Sequence, residues 1–176
     1  SRRSVADALG AKPEELVFTS CGSESDNWAL LGGAEAMKRT GRHIISSAVE
    51  HDAVRRSLDR LESMGCTVTR LASDGTGAIT AESVPAAIRP DTALISLMMV
   101  NNETGAVTDI AGIARAVRAS GCRALIHTDA VQGFMKLPFR ASKLGADLIS
   151  ISGHKIHAVK GIGALYIRSG LRLPPF

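Results

Sequence analysis

The chain has 176 residues, a net charge of +4 and 3% aromatic residues. That length supports one substantial core and is short for two, and so few rings exclude a nucleic-acid platform built on stacked bases. Three cysteines, Cys21, Cys66 and Cys122, cannot all pair within the chain, and none stands in a CxxC spacing that would suggest zinc.

Unpaired thiols point to a cytoplasmic protein. No leader segment is evident. The longest apolar stretch, 93–100, is broken by Ser96 and too short to span a bilayer. Basic pairs at Arg2-Arg3, Lys38-Arg39 and Arg55-Arg56 form no long run and read as solvated helix faces.

In chain order, "SRRSVADALG" is helix-like from its first residues, and "LVFTS" (16–20) is the first short apolar run. A helix is expected over 23–40, with Ser23 and Asp26 at capping-box spacing. "HIISSA" (43–48) follows as a strand. "DAVRRSLDRLESMG" then puts Val54, Leu58 and Leu61 on one helix face and stops at Gly65. "CTVTRLA" (66–72) and "TALISLMMV" (92–100) read as strands. "DIAGIARAVRASG" repeats the amphipathic pattern with Ile110, Ile113 and Val117. "RALIHTD" (123–129), "DLISIS" (147–152) and "GALYIR" (163–168) complete the strands. Alternating buried strands and helices predict an α/β domain: three layers, α/β/α, around a mostly parallel, roughly seven-stranded sheet.

Ligands in such sheets sit beyond the carboxyl ends of the strands, so those ends carry the functional question. In "VFTSCGSES" a turn with Gly22 leads into a helix near Ser23, either an ordinary capped turn or an anion cradle of free N–H groups. His51 either starts a helix or offers a flat ring for stacking and proton transfer. Asn101, Asn102 and Glu103 at the mouth of a hydrophobic strand need partners, in neighbouring turns or on a ligand oxygen. Asp129 ends a buried strand and wants a positive partner, which is a protonated pyridine where one is bound; Gln132 lies three residues on. Lys155, between a buried strand and a glycine-rich turn, is either a snorkelling surface lysine or a crowded amine suited to imine formation. Together these residues offer what pyridoxal 5′-phosphate needs at its phosphate, ring face, phenolic oxygen, ring nitrogen and aldehyde. A nicotinamide-binding fold is disfavoured because the glycine fingerprint is lacking.

The pieces "VFTSCGSES", "VEHDAV", "VNNETGAV", "HTDAVQGFMKLPF" and "SGHKIHAVKGIGALYIR" resemble, in order and spacing, the cysteine desulfurase branch of the class-V aminotransferase family, fold type I. The resemblance covers nearly the whole chain. It implies a large domain over 1–176 that binds pyridoxal 5′-phosphate, with the family's N-terminal arm and small C-terminal domain outside it. Lys155 would bond the cofactor aldehyde, Asp129 would pair with the ring nitrogen, and Gln132 and Asn102 would serve the phenolic oxygen. His51 would stack on the ring, and Gly22, Ser23, Ser152 and His154 would hold the phosphate.

The implied activity is transfer of sulfur from L-cysteine, giving alanine and an enzyme persulfide, with an iron–sulfur scaffold as sulfur acceptor and a homodimeric full-length protein. The persulfide cysteine would lie on a loop after Lys155, beyond this chain, so the fragment itself is expected to be inactive. "NNETG" and "KGIG" resemble the nitrogen-fixation and housekeeping desulfurases, and selenocysteine lyases share them. Three positions depart from the family pattern: Val159 where Pro is usual, Ser23 for the commoner Thr, and Cys21 where Gly is frequent. A selenocysteine lyase or other class-V enzyme, or a non-catalytic dimerisation module, stays open at this point.

Overall fold

All seven apolar runs form strands in the computed structural model, which describes residues 1–175. They are β1 (Leu16–Thr19), β2 (His43–Ser47), β3 (Thr67–Leu71), β4 (Thr92–Ser96), β5 (Leu125–Asp129), β6 (Leu148–Ser152) and β7 (Gly163–Ile167). One sheet holds them in the order β1-β7-β6-β5-β4-β2-β3. Neighbours from β3 to β6 pair in parallel, and β7 runs antiparallel to both β6 and β1. β1 therefore points the same way as β6, and six carboxyl ends share one edge of the sheet.

Successive side chains on a strand face opposite sides, and this alternation builds the three layers. Ile44, Leu94 and Leu125 pack with Leu30, Val54, Leu58 and Leu61. These come from helices α2 (Gly22–Ala36) and α3 (Asp52–Ser63), numbered after α1 (Arg2–Leu9). The next residues along, Ile45, Ile95, Ile126 and Ile149, face the opposite layer. That layer is α1, two short helices α4 (Ser83–Ala86) and α6 (Ala141–Leu144), and α5 (Ile110–Ala119). The three α3 positions and three α5 positions expected to face inward are all buried.

Three local expectations change. The helix expected from Ser23 begins at Gly22, with Cys21 as the capping residue and Ser23 exposed. Glu24, rather than Asp26, accepts a backbone N–H from upstream, that of Ser20. β4 ends at Ser96 although its apolar run continues to 100. Beyond Ser96 only the β5 side still offers carbonyls, to Leu97 and Met99; β2 has ended, and the Met98 N–H turns to Glu50 Oε1 at 3.0 Å.

A polar row crosses the otherwise apolar sheet. Ser46 Oγ donates to the Ser96 carbonyl at 2.8 Å, and Ser96 Oγ meets His127 Nδ1 at 2.8 Å. His127 Nε2 meets Ser150 Oγ at 3.0 Å. Burial drives His127 down to about 3, so its ring is neutral. Glu50 is also sealed: Oε1 takes the Ser47 hydroxyl and the Met98 N–H, and Oε2 has no partner. Burial raises it to about 8, against the two hydrogen bonds.

β7 brings Gly163 against the turn that precedes α2. A Cβ at Gly163 would stand 2.6 Å from the Cys21 carbonyl carbon, well inside carbon–carbon contact distance. Gly163→Ala is expected to cost about 1–3 kcal/mol of stability through forced backbone movement, read as a lower denaturant midpoint; an unchanged midpoint would show that the turn yields freely.

Glu50 makes a second prediction. The unfolded chain releases this proton above the ordinary value of 4.5 and the folded chain holds it to about 8. Stability is therefore lost with rising pH across that window, by about 1.4 kcal/mol per unit. Gln keeps the Oε1 acceptor and carries no titrating proton. Denaturation of Glu50→Gln should show a stability gain over the parent that grows from pH 5 to pH 8; a constant difference counts against a neutral Glu50.

Candidate active site

The shared carboxyl edge encloses a cavity of about 320 Å³. All nine residues singled out from the sequence line it. The turn after β1 contributes Gly22 and Ser23, and the residue before α3 contributes His51. Asn102 comes from the segment after β4, Asp129 and Gln132 from the end of β5, and Ser152, His154 and Lys155 from the end of β6 and its following turn. These positions span more than 130 residues of sequence, and parallel strand direction alone brings them together.

Gly22 opens α2 and is packed tightly from below. A Cβ there would lie 2.7 Å from Val131 Cγ2 and 3.2 Å from Ser152 Cβ. The backbone thus approaches the cavity with no side chain in the way, and the first N–H groups of α2 and the Ser23 hydroxyl lie at its wall. Helix starts of this kind attract anions. Ser152 Oγ and His154 Nδ1 hydrogen-bond each other at 2.8 Å beside Gly22.

His51 is both of the things its position allowed. Its Nδ1 accepts the Ala53 N–H at 3.1 Å and starts α3, while the ring lines the cavity. That bond puts the remaining ring proton on Nε2. The asparagine pair divides its work. Asn101 is buried in turn structure: its Oδ1 accepts the Glu103 and Thr104 N–H groups and its Nδ2 reaches the Val49 carbonyl. Asn102 is exposed to the cavity. Gln132 has its Oε1 taken by Lys136 Nζ at 2.8 Å, which leaves its NH₂ as the free donor.

Asp129 is 5% exposed. Oδ1 accepts the Val131 N–H at 2.9 Å, and no Lys or Arg pairs with it among the described residues. Burial raises its carboxyl above the ordinary value, opposed by that N–H and by His51. Asp147, at the other edge of the sheet, shows the contrast. It is equally buried, but Arg118 reaches one oxygen at 2.8 Å, Arg168 the other at 2.6 Å, and the Ile126 N–H adds a third bond. Asp129 has no such cations and opens onto a cavity.

Lys155 differs from its expected setting. It lies on a short turn, Gly153–Ile156, and is exposed at the rim rather than crowded by the strand. The chain leaves β6 into that turn at once, so the side chain starts above the sheet. His157 closes the turn in a left-handed conformation, φ 61°, and does not line the cavity.

Four further residues line the cavity: Cys21, Asp26, Met98 and Val131. By its spacing from Ser23, Asp26 reads as a capping residue; the signal passed over there is helical period. Asp26 falls on the stripe Gly22, Ser25, Asp26, Ala29, Leu30 and Gly33 that α2 buries, and an acid on a buried stripe is unusual. Its 3.6 Å approach to His127 is not an ion pair: burial lowers the histidine and, with the charge of Asp129 behind it, lifts Asp26 well above the carboxylate range.

Comparison with known proteins bears on the whole chain. The cysteine desulfurase IscS of Serratia proteamaculans (strain 568) is 47% identical over 173 residues, 98% of this chain and 42% of that protein. IscS of Escherichia coli (strain K12 / DH10B) is 49% identical over 168 residues, 96% of this chain and 41% of that protein. Among solved structures, a NifS-like protein superposes with a TM-score of 0.95 at 38% identity, covering 99% of this chain and 48% of that one. SspA in complex with cysteine superposes with a TM-score of 0.90 at 41% identity, covering 99% and 50%. The chain thus spans less than half the length of the curated relatives it matches. The family model described as aminotransferase class-V matches residues 1–176, and the chain belongs to that family.

Proposed function

We propose that the chain is the pyridoxal 5′-phosphate-binding part of a cysteine desulfurase. The observation that carries this reading is Asp129: a buried carboxyl with no cation from the protein, opening onto the cavity that Lys155 and the start of α2 also line. The donor set fits the cofactor. A helix start and Ser23 suit the phosphate, the Gln132 NH₂ and Asn102 suit the phenolic oxygen, and an unpaired buried acid suits a ring nitrogen. The named relatives supply the reaction class, and the relative solved with cysteine supplies the substrate.

Bound there, the cofactor supplies an aldehyde that an amine can capture and a ring that draws electrons from the substrate Cα. Asp129 would hold the proton on the ring nitrogen, because a buried carboxylate is better off beside a cation than alone. His51, its Nδ1 already occupied by Ala53, would offer its ring for stacking. Ser152 and His154, orienting each other beside Gly22, would help the α2 N–H groups hold the phosphate. Lys155, on the rim, would be the amine that bonds the aldehyde and, when free, the base for the substrate Cα proton.

For the whole protein the balance is L-cysteine plus an enzyme thiol giving alanine plus an enzyme persulfide. Cys66 and Cys122 stand before β3 and β5, at the amino edge and a full strand length from the cavity. Cys21 is in the proposed phosphate turn. The sulfur-accepting thiol is therefore assigned to a segment outside these residues. A cytoplasmic homodimer passing sulfur to an iron–sulfur scaffold completes the proposal. Three free thiols support the compartment, and the family supports the rest.

The test is to mix the purified chain with pyridoxal 5′-phosphate and reduce with borohydride. A yellow complex that bleaches and leaves one cofactor mass on the peptide containing Lys155 is expected, with no label on Lys155→Ala. Persistent labelling of that variant would refute the lysine assignment. A colourless chain that ignores added cofactor would support a non-catalytic interaction module instead.

A further inference from the structure

Asp26 lines the cavity, yet no part of the cofactor is assigned to it. The residue is 2% exposed, and its Oδ1 is fully buried with no hydrogen-bond partner. The groups that face it are known from every side. β5 presents Asp129 and His127, β6 presents Ser150, the segment before α3 presents Glu50, and the turn before α2 presents Cys21. None is a Lys or Arg. His51 bears on Asp129 rather than on Asp26. His127, the one basic group among them, has its two ring nitrogens on Ser96 and Ser150 and is sealed from solvent. A carboxylate at position 26 would thus leave one oxygen bare and face a second acid with no counter-cation, which costs more than carrying a proton.

We propose that Asp26 is a positioning residue for the ring-nitrogen acid: a second carboxyl on the cavity wall that stays neutral, leaving Asp129 the sole anion that a cationic ring meets. This rests on the cofactor reading and deepens it. Two buried carboxyls, Asp26 and Asp129, line a site meant for one ring cation, with Glu50 sealed behind them, and a single ring cation matches one carboxylate. Burial pushes Asp26 upward and the neighbouring Asp129 adds to it, outweighing the opposing Ser150 hydroxyl, in keeping with that division. Two carboxyls pushed apart in acidity by one shared environment take different roles.

The experiment has two arms on the full chain. In the first, carbon-13-labelled aspartate is followed by NMR in the cofactor-free protein. One carboxyl signal should remain protonated at pH 7 and vanish in Asp26→Asn; if every aspartate of the unaltered chain has titrated below pH 6, the proposal is overturned, with no variant needed. In the second, pyridoxal 5′-phosphate affinity is titrated by visible absorbance from pH 6 to pH 10. Asp26→Asn should lack the rise in affinity that the parent gains as Asp26 ionises at alkaline pH; the same rise in the variant would overturn the assignment. A tenfold or greater loss at pH 7 would show that Asp26 acts as an anion. Failure of the parent to bind cofactor at any pH would sink the cofactor reading, while the NMR arm still decides the state of Asp26.

Discussion

A carboxyl group sealed at the end of a buried strand is the costliest element of this structure, and its treatment at the two edges of the sheet differs. Asp147 at the amino edge is neutralised by two arginines and a backbone N–H. Its surroundings are complete, and it ties β6 to β5 and to the residue after β7. Asp129 at the carboxyl edge has one N–H and open space. The same chemical group is structural where its partners are built in and available for a ligand where they are missing. Everything assigned to the cavity follows from that incompleteness.

The neighbourhood of Asp129 is kept free of compensating charge. His127 lies on the same strand two residues earlier, where a protonated ring would have satisfied the acid. Burial holds it in a neutral state between Ser96 and Ser150, and among the described residues no arginine or lysine enters this part of the core. Glu50 and Asp26 add acid rather than base. A site in this condition is destabilising to the empty protein and favourable to a cationic ring, since binding removes an imbalance that folding leaves in place.

Much of this was readable before any coordinates. The strands announced themselves as short β-branched runs, and the α3 and α5 stripes by helical period. The nine candidate residues come together in one cavity because each sits at or shortly after the end of such a run, where a parallel sheet gathers them. What escaped did so for physical reasons. α4 and α6 are too short to show a period. The end of β4 depended on β2 stopping first, a fact of pairing rather than of local sequence. The start of α2 depended on how closely Gly22 can approach Val131. Lys155 looked crowded because its sequence neighbours are apolar and glycine-rich, whereas the chain turns out of the sheet at Gly153 and lifts the side chain clear. Asp26 looked like a cap because spacing to Ser23 fitted one; its burial depends on which face α2 turns inward.

The position of β7 carries one more consequence. It is last in sequence, yet it lies between β1 and β6, and its Gly163 is the surface on which the Cys21 turn rests. Among the described strands β1 has β7 alone as its hydrogen-bonded neighbour, so the Cys21 turn is supported by a strand from the other end of these residues. The wall that this turn gives the cavity is thereby coupled to the pairing of β7 with β1 and β6.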